Sequence, residues 1–207
     1  TIAYRINGKT TYAMEGSIFI AGAGVQWLRD RMKFFKKAPE TEKIVKSLKD
    51  NNNIYLVPAF TGLGAPYWDA NARGVLSGIT RDTSPKEIVR ATIEAVAYQT
   101  YDLFEAMKHD GLRPKIVKVD GGMVMNNWFS QFLSDIVNVK VLRPKVQETT
   151  ALGAAFMAGL QIGIYKSLKD ISRNWHLDKK FSSKMKKPLR NKLLKGWSIA
   201  IKKTLTG

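Results

Sequence analysis

Apolar and polar positions follow two different periods along the chain, and together they predict strands interleaved with helices. The first residues alternate with a period of two on either side of Asn7-Gly8, a dipeptide typical of a type I′ turn. The chain therefore opens with a predicted β-hairpin whose strands cover 2–6 and 9–14. Short apolar runs predict four further strands, at 54–59, 74–80, 115–120 and 139–142.

Apolar residues spaced three and four apart predict the helices. The expected helices cover 16–33, 40–49, 84–108, a segment beginning near Asn126, 148–163, and a final amphipathic stretch around 185–197. The clearest boundary is Ser84-Pro85-Lys86-Glu87, a capping box with proline at the first helical position. Small residues crowd the 148–163 helix, so we expect its backbone to pack closely on neighbours. This order of elements, without an internal repeat, predicts an α/β domain with a mixed sheet flanked by helices.

Composition narrows the class of protein. A chain of 207 residues with 44% apolar residues and five tryptophans can bury a core, which excludes a disordered protein. No apolar run reaches membrane-spanning length and the first residues alternate like a strand, so we expect neither membrane insertion nor a signal peptide. The absence of cysteine excludes disulfides and thiolate metal sites, and we expect a cytoplasmic location. The chain does not begin with methionine, which suggests a piece of a longer protein.

Positive charge is concentrated in the last fifth of the chain. Thirteen Lys and Arg against two Asp in residues 166–203 account for eleven of the seventeen net positive charges. Such a segment could bind nucleic acid. However, lysines outnumber arginines, and the segment has only three aromatic residues, Trp175, Phe181 and Trp197, that could stack on bases. We therefore favour a solvated helical extension (166–207) on a domain formed by residues 1–165, with nucleic-acid binding as the alternative.

The segment from Val119 to Asn126 is the first candidate site. A predicted strand ends in Gly121-Gly122 just before a helix, which leaves backbone amides open to a phosphate or a nucleotide ring. Asn126 could offer both a donor and an acceptor to a purine or a ribose. An ordinary strand-to-helix turn would explain the same residues, and no GxGxxG fingerprint is present.

The second candidate lies inside the first predicted helix. Gly22 and Gly24 should each weaken that helix by roughly 1 kcal/mol, so both need a reason. Close packing against another helix is one reason. A ligand against the helix flank, with Gln26 directed at it, is the other.

Three further features resemble sites. Gly8-Lys9-Thr10 is part of the hairpin and not a phosphate loop, because the glycine required five positions earlier is Ala3. The segment 60–69 is either a hinge for domain closure or a loop held by the packing of Tyr67 and Trp68, and we favour packing. The two histidines have no partner residues at metal-ligand spacing and are expected to be surface or packing residues.

Three stretches of the sequence carry a resemblance to a known family. Residues 74–79 (GVLSGI), Glu87-Ile88 and 91–94 (ATIE), at their spacing, match a long signature of the FGGY carbohydrate kinases. Within that family, residues 60–69 (FTGLGAPYWD) are similar to the members that phosphorylate glycerol, whereas pentulose and gluconate kinases usually carry a charged version. The resemblance fades after about residue 166.

The resemblance implies an actin-like, ribonuclease H-like fold of two lobes, with ATP and ADP bound chiefly by the C-terminal lobe. It places Gly22, Gln26, Gly122 and Asn126 on nucleotide-contacting positions, with Gly121 as their neighbour. It also implies that the catalytic aspartate, the polyol-binding residues, the carboxylate for Mg²⁺ and the phosphate loop belong to an N-terminal lobe.

None of those N-terminal features matches anything in this sequence. We therefore expect no catalytic base or metal ligand on this chain, an N-terminal kinase lobe as its partner, glycerol as the substrate of the whole enzyme, and a homo-oligomer. The alternatives are a lobe of another kinase of the family and a basic module that binds nucleotides or nucleic acid.

Overall fold

A computed structural model describes all residues from Thr1 to Gly207. Its helices are α1 (Gly22–Asp30), α2 (Glu40–Ser47), α3 (Pro85–His109), α4 (Asn127–Val137), α5 (Thr149–Gln161), α6 (Leu168–Ser172) and α7 (Lys187–Thr204). Its strands are β1 (Ile2–Ile6), β2 (Lys9–Tyr12), β3 (Tyr55–Val57), β4 (Val75–Ser77), β5 (Ile116–Lys118), β6 (Lys140–Pro144) and β7 (Leu177–Phe181). A 3-10 turn (Gly122–Met125) precedes α4.

The strands form three small sheets, one of which is mixed. β1 pairs with β2 and β3 pairs with β4, both antiparallel. In the third sheet the order is β5-β6-β7, with β5 parallel and β7 antiparallel to the central strand β6. The expected mixed sheet is present. Its third strand, β7, was not predicted, since that part of the basic extension was expected to be helical.

Local turn and cap chemistry set two boundaries as predicted. Asn7 and Gly8 both have positive φ, at 49° and 77°, as the type I′ turn requires. At the start of α3, the Ser84 hydroxyl accepts from the Lys86 amide and the Glu87 carboxylate accepts from the Ser84 amide at 2.9 Å. These reciprocal bonds satisfy amides that the first helical turn leaves without partners.

The first helix begins six residues later than predicted. Residues 16–21 are not helical because they pack against α3 instead of forming their own turn. The Ile20 carbonyl accepts from the Gln99 side chain at 3.3 Å, and Gly16 lies so close to Leu103 that a Cβ would have no room. Tertiary contact therefore overrides the apolar spacing that favoured a helix here.

The long helix α3 passes through the centre of the molecule and carries a fully buried carboxylate. Glu94 accepts from Arg90 Nε at 2.7 Å, from the Tyr98 hydroxyl at 3.0 Å and from Asn51 Nδ2 at 3.2 Å. Burial raises the pKa of Glu94 above its usual range, while Arg90 and the other donors oppose the shift by favouring the charged form. Arg90 in turn donates to the Leu48 carbonyl at 2.8 Å, which ties the end of α2 to α3.

The basic extension is built into the same core. Trp197 of α7 is 1% exposed and stacks on Tyr98, with ring centroids 5.3 Å apart. Its Nε1 donates to Asp102 Oδ2 at 2.6 Å, and the Tyr67 hydroxyl donates to the same oxygen at 2.8 Å. Burial raises the pKa of Asp102, although both donors favour the charged carboxylate. α3 therefore fixes both α7 and the loop that contains Tyr67.

Two packing predictions were wrong. Trp68 is 76% exposed, so only Tyr67 of that aromatic pair packs against the core. In α5, the small residues do not bring the helix against neighbours, because Gly159 is its only buried residue. The apolar side chain of Met157 is among those left open to solvent. None of the helices has the combination of length and apolar character that crossing a bilayer requires.

We expect Glu94→Ala to lower the free energy of unfolding by about 3–5 kcal/mol, since it leaves the buried Arg90 charge and two further donors without their acceptor. Urea unfolding followed by circular dichroism measures the change. Glu105→Ala is the matched control: it removes a carboxylate from the same helix, where its pair with Lys108 is exposed, and should cost at most about 1 kcal/mol. Equal losses in the two variants would contradict the central role of Glu94.

Candidate functional site

A cleft of about 320 Å³ lies between α1, α2 and the 3-10 turn. α1 forms one wall, the first turn of α2 forms another, and the turn that follows β5 closes the third side. The walls are formed by Gly22, Val25, Gln26, Arg29, Ala38, Pro39, Thr41, Glu42, Ile93, Gly122, Met123, Met125 and Asn126. They are mostly apolar with a few polar groups, as in pockets for small organic ligands.

The structure brings together four of the five predicted site residues. Gly22 and Gln26 line the cleft from α1, while Gly122 and Asn126 line it from the turn, about a hundred residues further along the chain. Gly121 is not among the lining residues. It has a φ of 82° and sets the direction of the backbone entering the turn.

The two glycines of α1 have different reasons to be there. A Cβ on Gly24 would lie 2.9 Å from Thr92 Cγ2 on α3, so Gly24 permits close packing of two helices. A Cβ on Gly22 would meet nothing within 4 Å, although this residue lines the cleft. Both reasons considered from the sequence therefore have a counterpart: Gly24 packs against α3, and Gly22 leaves space open beside the backbone.

The Asn126 side chain makes two hydrogen bonds within the fold that its position in the sequence did not reveal. Its Oδ1 accepts from the Phe129 amide at 3.0 Å and so caps α4, as the prediction of a helix start near this residue requires. Its Nδ2 donates to Thr41 Oγ1 at 3.3 Å, which links the turn to α2. One hydrogen of this amide and one lone pair of Oδ1 are left for a ligand, so Asn126 retains half of its hydrogen-bonding capacity.

The α2 wall was missed at the sequence level. Glu42 accepts from the Asn127 amide at 3.3 Å and from Lys46 at 2.5 Å. Partial burial would raise the pKa of Glu42, but these donors outweigh it and hold that pKa below its usual range. Thr41 and Asn126 are 85 residues apart, and no local motif could have shown that they meet.

Arg29 and Glu42 are the only charged residues that line the cleft, and both are already paired. Arg29 makes two bonds to the Asp30 carboxylate, at 2.7 and 2.8 Å. No three His, Asp or Glu side chains of the chain converge as a metal site would need. Both histidines are exposed. The cleft is therefore better suited to the uncharged part of a ligand than to a phosphate chain.

We predict opposite effects of one added methyl group at the two glycines of α1. Gly24→Ala should lower the free energy of unfolding by about 1–3 kcal/mol, because the methyl group is forced against Thr92. Gly22→Ala should leave it unchanged or raise it by up to about 1 kcal/mol, since alanine is the better helix former and space is available. Thermal unfolding of the two variants measures both changes. A Gly22→Ala variant as unstable as Gly24→Ala would contradict the open position of Gly22.

Residues 3–162 match the family model described as the FGGY family of carbohydrate kinases, C-terminal domain. Among curated relatives, glycerol kinase 1 of Pseudomonas aeruginosa is 55% identical over 203 residues, which is 98% of this chain and 41% of that protein. Glycerol kinase of Marinomonas sp. is 54% identical and covers all of this chain and 42% of the relative. The chain thus spans about two-fifths of the length of these relatives. Alignment with these relatives continues through the basic extension, whereas the match to the family model ends at residue 162.

Solved structures agree in fold. The glycerol kinase of Plasmodium falciparum, determined with ADP, superimposes with a TM-score of 0.89 at 38% identity, over 100% of this chain and 42% of that one. A ligand-bound xylulose kinase from Lactobacillus acidophilus superimposes with a TM-score of 0.75 at 25% identity, over 90% of this chain and 38% of that one. These likenesses confirm the predicted fold class, an actin-like α/β lobe with a mixed sheet flanked by helices.

Proposed function

The chain belongs to the FGGY family of carbohydrate kinases, and we propose that it is the ATP- and ADP-binding lobe of a kinase that phosphorylates glycerol. The observation that carries the proposal is the cleft. It gathers Gly22, Gln26, Gly122 and Asn126 from two distant parts of the sequence around one space. A solved relative at 38% identity, the glycerol kinase of Plasmodium falciparum, was determined with ADP.

The cleft suits the nucleoside part of the ligand. Val25, Ile93 and Met123 supply apolar walls against which an adenine ring can lie, and the side-chain amides of Gln26 and Asn126 can donate to it. The missing side chains at Gly22 and Gly122 leave backbone accessible on two sides. In this role the chain binds and orients the nucleotide, and positioning accounts for much of phosphoryl-transfer catalysis.

Glycerol as the phosphoryl acceptor is supported by two observations. The loop 60–69 has the GLGAP form at residues 62–66 that resembles the glycerol-phosphorylating members of the family, and the similar curated proteins, at 50–55% identity, are named glycerol kinases. The xylulose and gluconate kinases are at 25% identity or below. The balance of these identities favours glycerol over a pentulose or gluconate.

The proposal places the binding site for Mg²⁺ outside this chain. The single carboxylate in the cleft wall, Glu42, is bonded to Lys46 and Asn127, and it belongs to no group of three acidic or histidine residues. We therefore assign the Mg²⁺ that accompanies ATP, and the catalytic base, to an N-terminal lobe of the whole enzyme. No catalytic step is assigned to a residue of this chain.

The exposed helix α5 supports the presence of such a lobe. Apart from Gly159 it buries none of its residues, although most of its side chains are apolar. A helix of this kind in a folded domain marks a surface that another structural unit covers. The N-terminal lobe as partner, a homo-oligomeric enzyme and a cytoplasmic location belong to the same proposal.

We expect the chain alone to bind ADP in isothermal titration calorimetry. Gln26→Ala should weaken that binding about five- to tenfold, because one or two hydrogen bonds to the ligand are lost. Gln161→Ala, at the exposed end of α5, is the matched control and should bind ADP as the unaltered chain does. If Gln26→Ala also binds unchanged, the assignment of this cleft is wrong.

The same protein should form no glycerol 3-phosphate from ATP and glycerol in a coupled assay, since the proposal assigns the base to the N-terminal lobe. Product formation would contradict the division of roles between the lobes. Titration with a random oligonucleotide at two salt concentrations tests the alternative of a basic module: salt-steep oligonucleotide binding without ADP binding would favour that alternative over the proposal.

A further inference from the structure

A buried arginine lies directly behind the turn that forms one wall of the cleft. Arg143, on the central strand β6, is 5% exposed. Burying an ionised side chain lowers the stability of the fold unless its donors are hydrogen-bonded. The residues that accept from Arg143 therefore indicate what it holds in place. The sequence around it, a short apolar strand, gave no sign of this role.

The Arg143 guanidinium holds the turn by its carbonyl groups. Nη1 donates to the Val124 carbonyl at 2.8 Å and to the Met125 carbonyl at 3.3 Å, and Nη2 donates to Asn127 Oδ1 at 3.3 Å. The planar fork thus reaches two backbone oxygens of the turn and the side chain of Asn127, the first residue of α4, at once. A lysine, with one point of charge, could not bond to all of them.

The far side of the guanidinium is fixed by the basic extension. Arg143 Nε donates to Asp178 Oδ2 on β7 at 2.7 Å, and the ring of Phe181 on the same strand lies 5.7 Å from the guanidinium carbon. Asp178 is 41% exposed and lies beyond residue 162, where the family-model match ends. A carboxylate outside the matched region is thus connected through one side chain to the wall of the cleft.

The turn needs such a support because the chain enters it through two glycines. Gly121 has positive φ, and neither Gly121 nor Gly122 has an atom within 4 Å of where a Cβ would be. Their backbone is therefore free of side-chain packing. The bonds from Arg143 restrict the turn from behind, on the side away from the ligand.

We propose that Arg143 and Asp178 are positioning residues for the nucleotide: Asp178 orients the Arg143 guanidinium, which holds the Gly122–Met125 turn against the cleft. This inference rests on the proposed nucleotide site and adds to it a pair of residues that do not touch the ligand. It gives β7 a part in nucleotide binding.

The test compares Asp178→Asn and Arg143→Lys with the unaltered 207-residue chain. Each variant should weaken ADP binding about tenfold, since misplacement of a binding element by less than 1 Å has effects of that order or larger. Amide hydrogen exchange at Gly121 and Asn126 should become at least about tenfold faster in both, while exchange in the centre of α3 stays the same. Asp178→Glu, which retains the charge, should restore part of the affinity.

Arg173→Lys is the matched control, because Arg173 pairs with Asp170 at 2.9 Å on the exposed surface of the same extension. It should change neither ADP binding nor exchange in the turn. If Arg143→Lys does not fold, Asp178→Asn decides the question, since its side chain is half-exposed and its removal leaves no cavity in the core.

The outcomes separate the two proposals. ADP binding by the unaltered chain, with unchanged affinity and unchanged turn exchange in the folded variants, overturns the positioning role and leaves the nucleotide site in place. No ADP binding by the unaltered chain overturns the proposed function, and with it any role of this pair in nucleotide binding.

Discussion

The Glu94 side chain is fully buried, so its carboxylate must accept hydrogen bonds from other residues of the core. The elements that carry these donors are held in place by the bonds. Burying a charged group is unfavourable until it is paired and hydrogen-bonded. Arg90, Tyr98 and Asn51 provide the bonds, and through them α3 is tied to the end of α2 and to the chain just before β3. These bonds have defined directions, so they fix the relative placement of the elements more narrowly than apolar contact would.

The neighbours of Glu94 on α3 extend this order to the cleft. Thr92 packs against Gly24 of α1, and Ile93 forms part of the cleft wall. A single turn of α3 therefore carries the buried Arg90–Glu94 ion pair, the residue that packs against α1, and a residue of the cleft wall. Two turns further along α3, Asp102 accepts hydrogen bonds from Tyr67 and Trp197. The cleft is held in one shape because part of its wall belongs to α3, and the position of α3 is fixed by bonds at several points.

Features set by neighbouring residues could be predicted from the sequence, and features set by distant residues could not. The Asn7-Gly8 turn, the Ser84 capping box and the Asn126 helix start depend on a few consecutive residues, and all are present. The late start of α1 depends on Gln99, and β7 becomes a strand because β6 pairs with it. No propensity within those segments contains that information.

The candidate site divides in the same way. Glycine pairs and amide side chains are visible in the sequence, and the family resemblance selected Gly22, Gln26, Gly122 and Asn126 from among them. The α2 wall and Arg143 could not be found, since threonine, glutamate and arginine are ordinary residues until their partners are known. Asn126 was identified, but its commitment to the α4 cap and to Thr41 became visible only in three dimensions.

The position of β7 at the edge of its sheet accounts for some of the lysines in the basic extension. β7 is the last strand of its sheet, so its outer edge pairs with no other strand of the chain. Unprotected edges of this kind recruit strands from other molecules and begin aggregation, and charged side chains, lysine above all, are a common defence. Lys179 and Lys180 lie on that edge and are exposed. Part of the positive charge is thus explained by colloidal stability, with no need for a polyanionic partner.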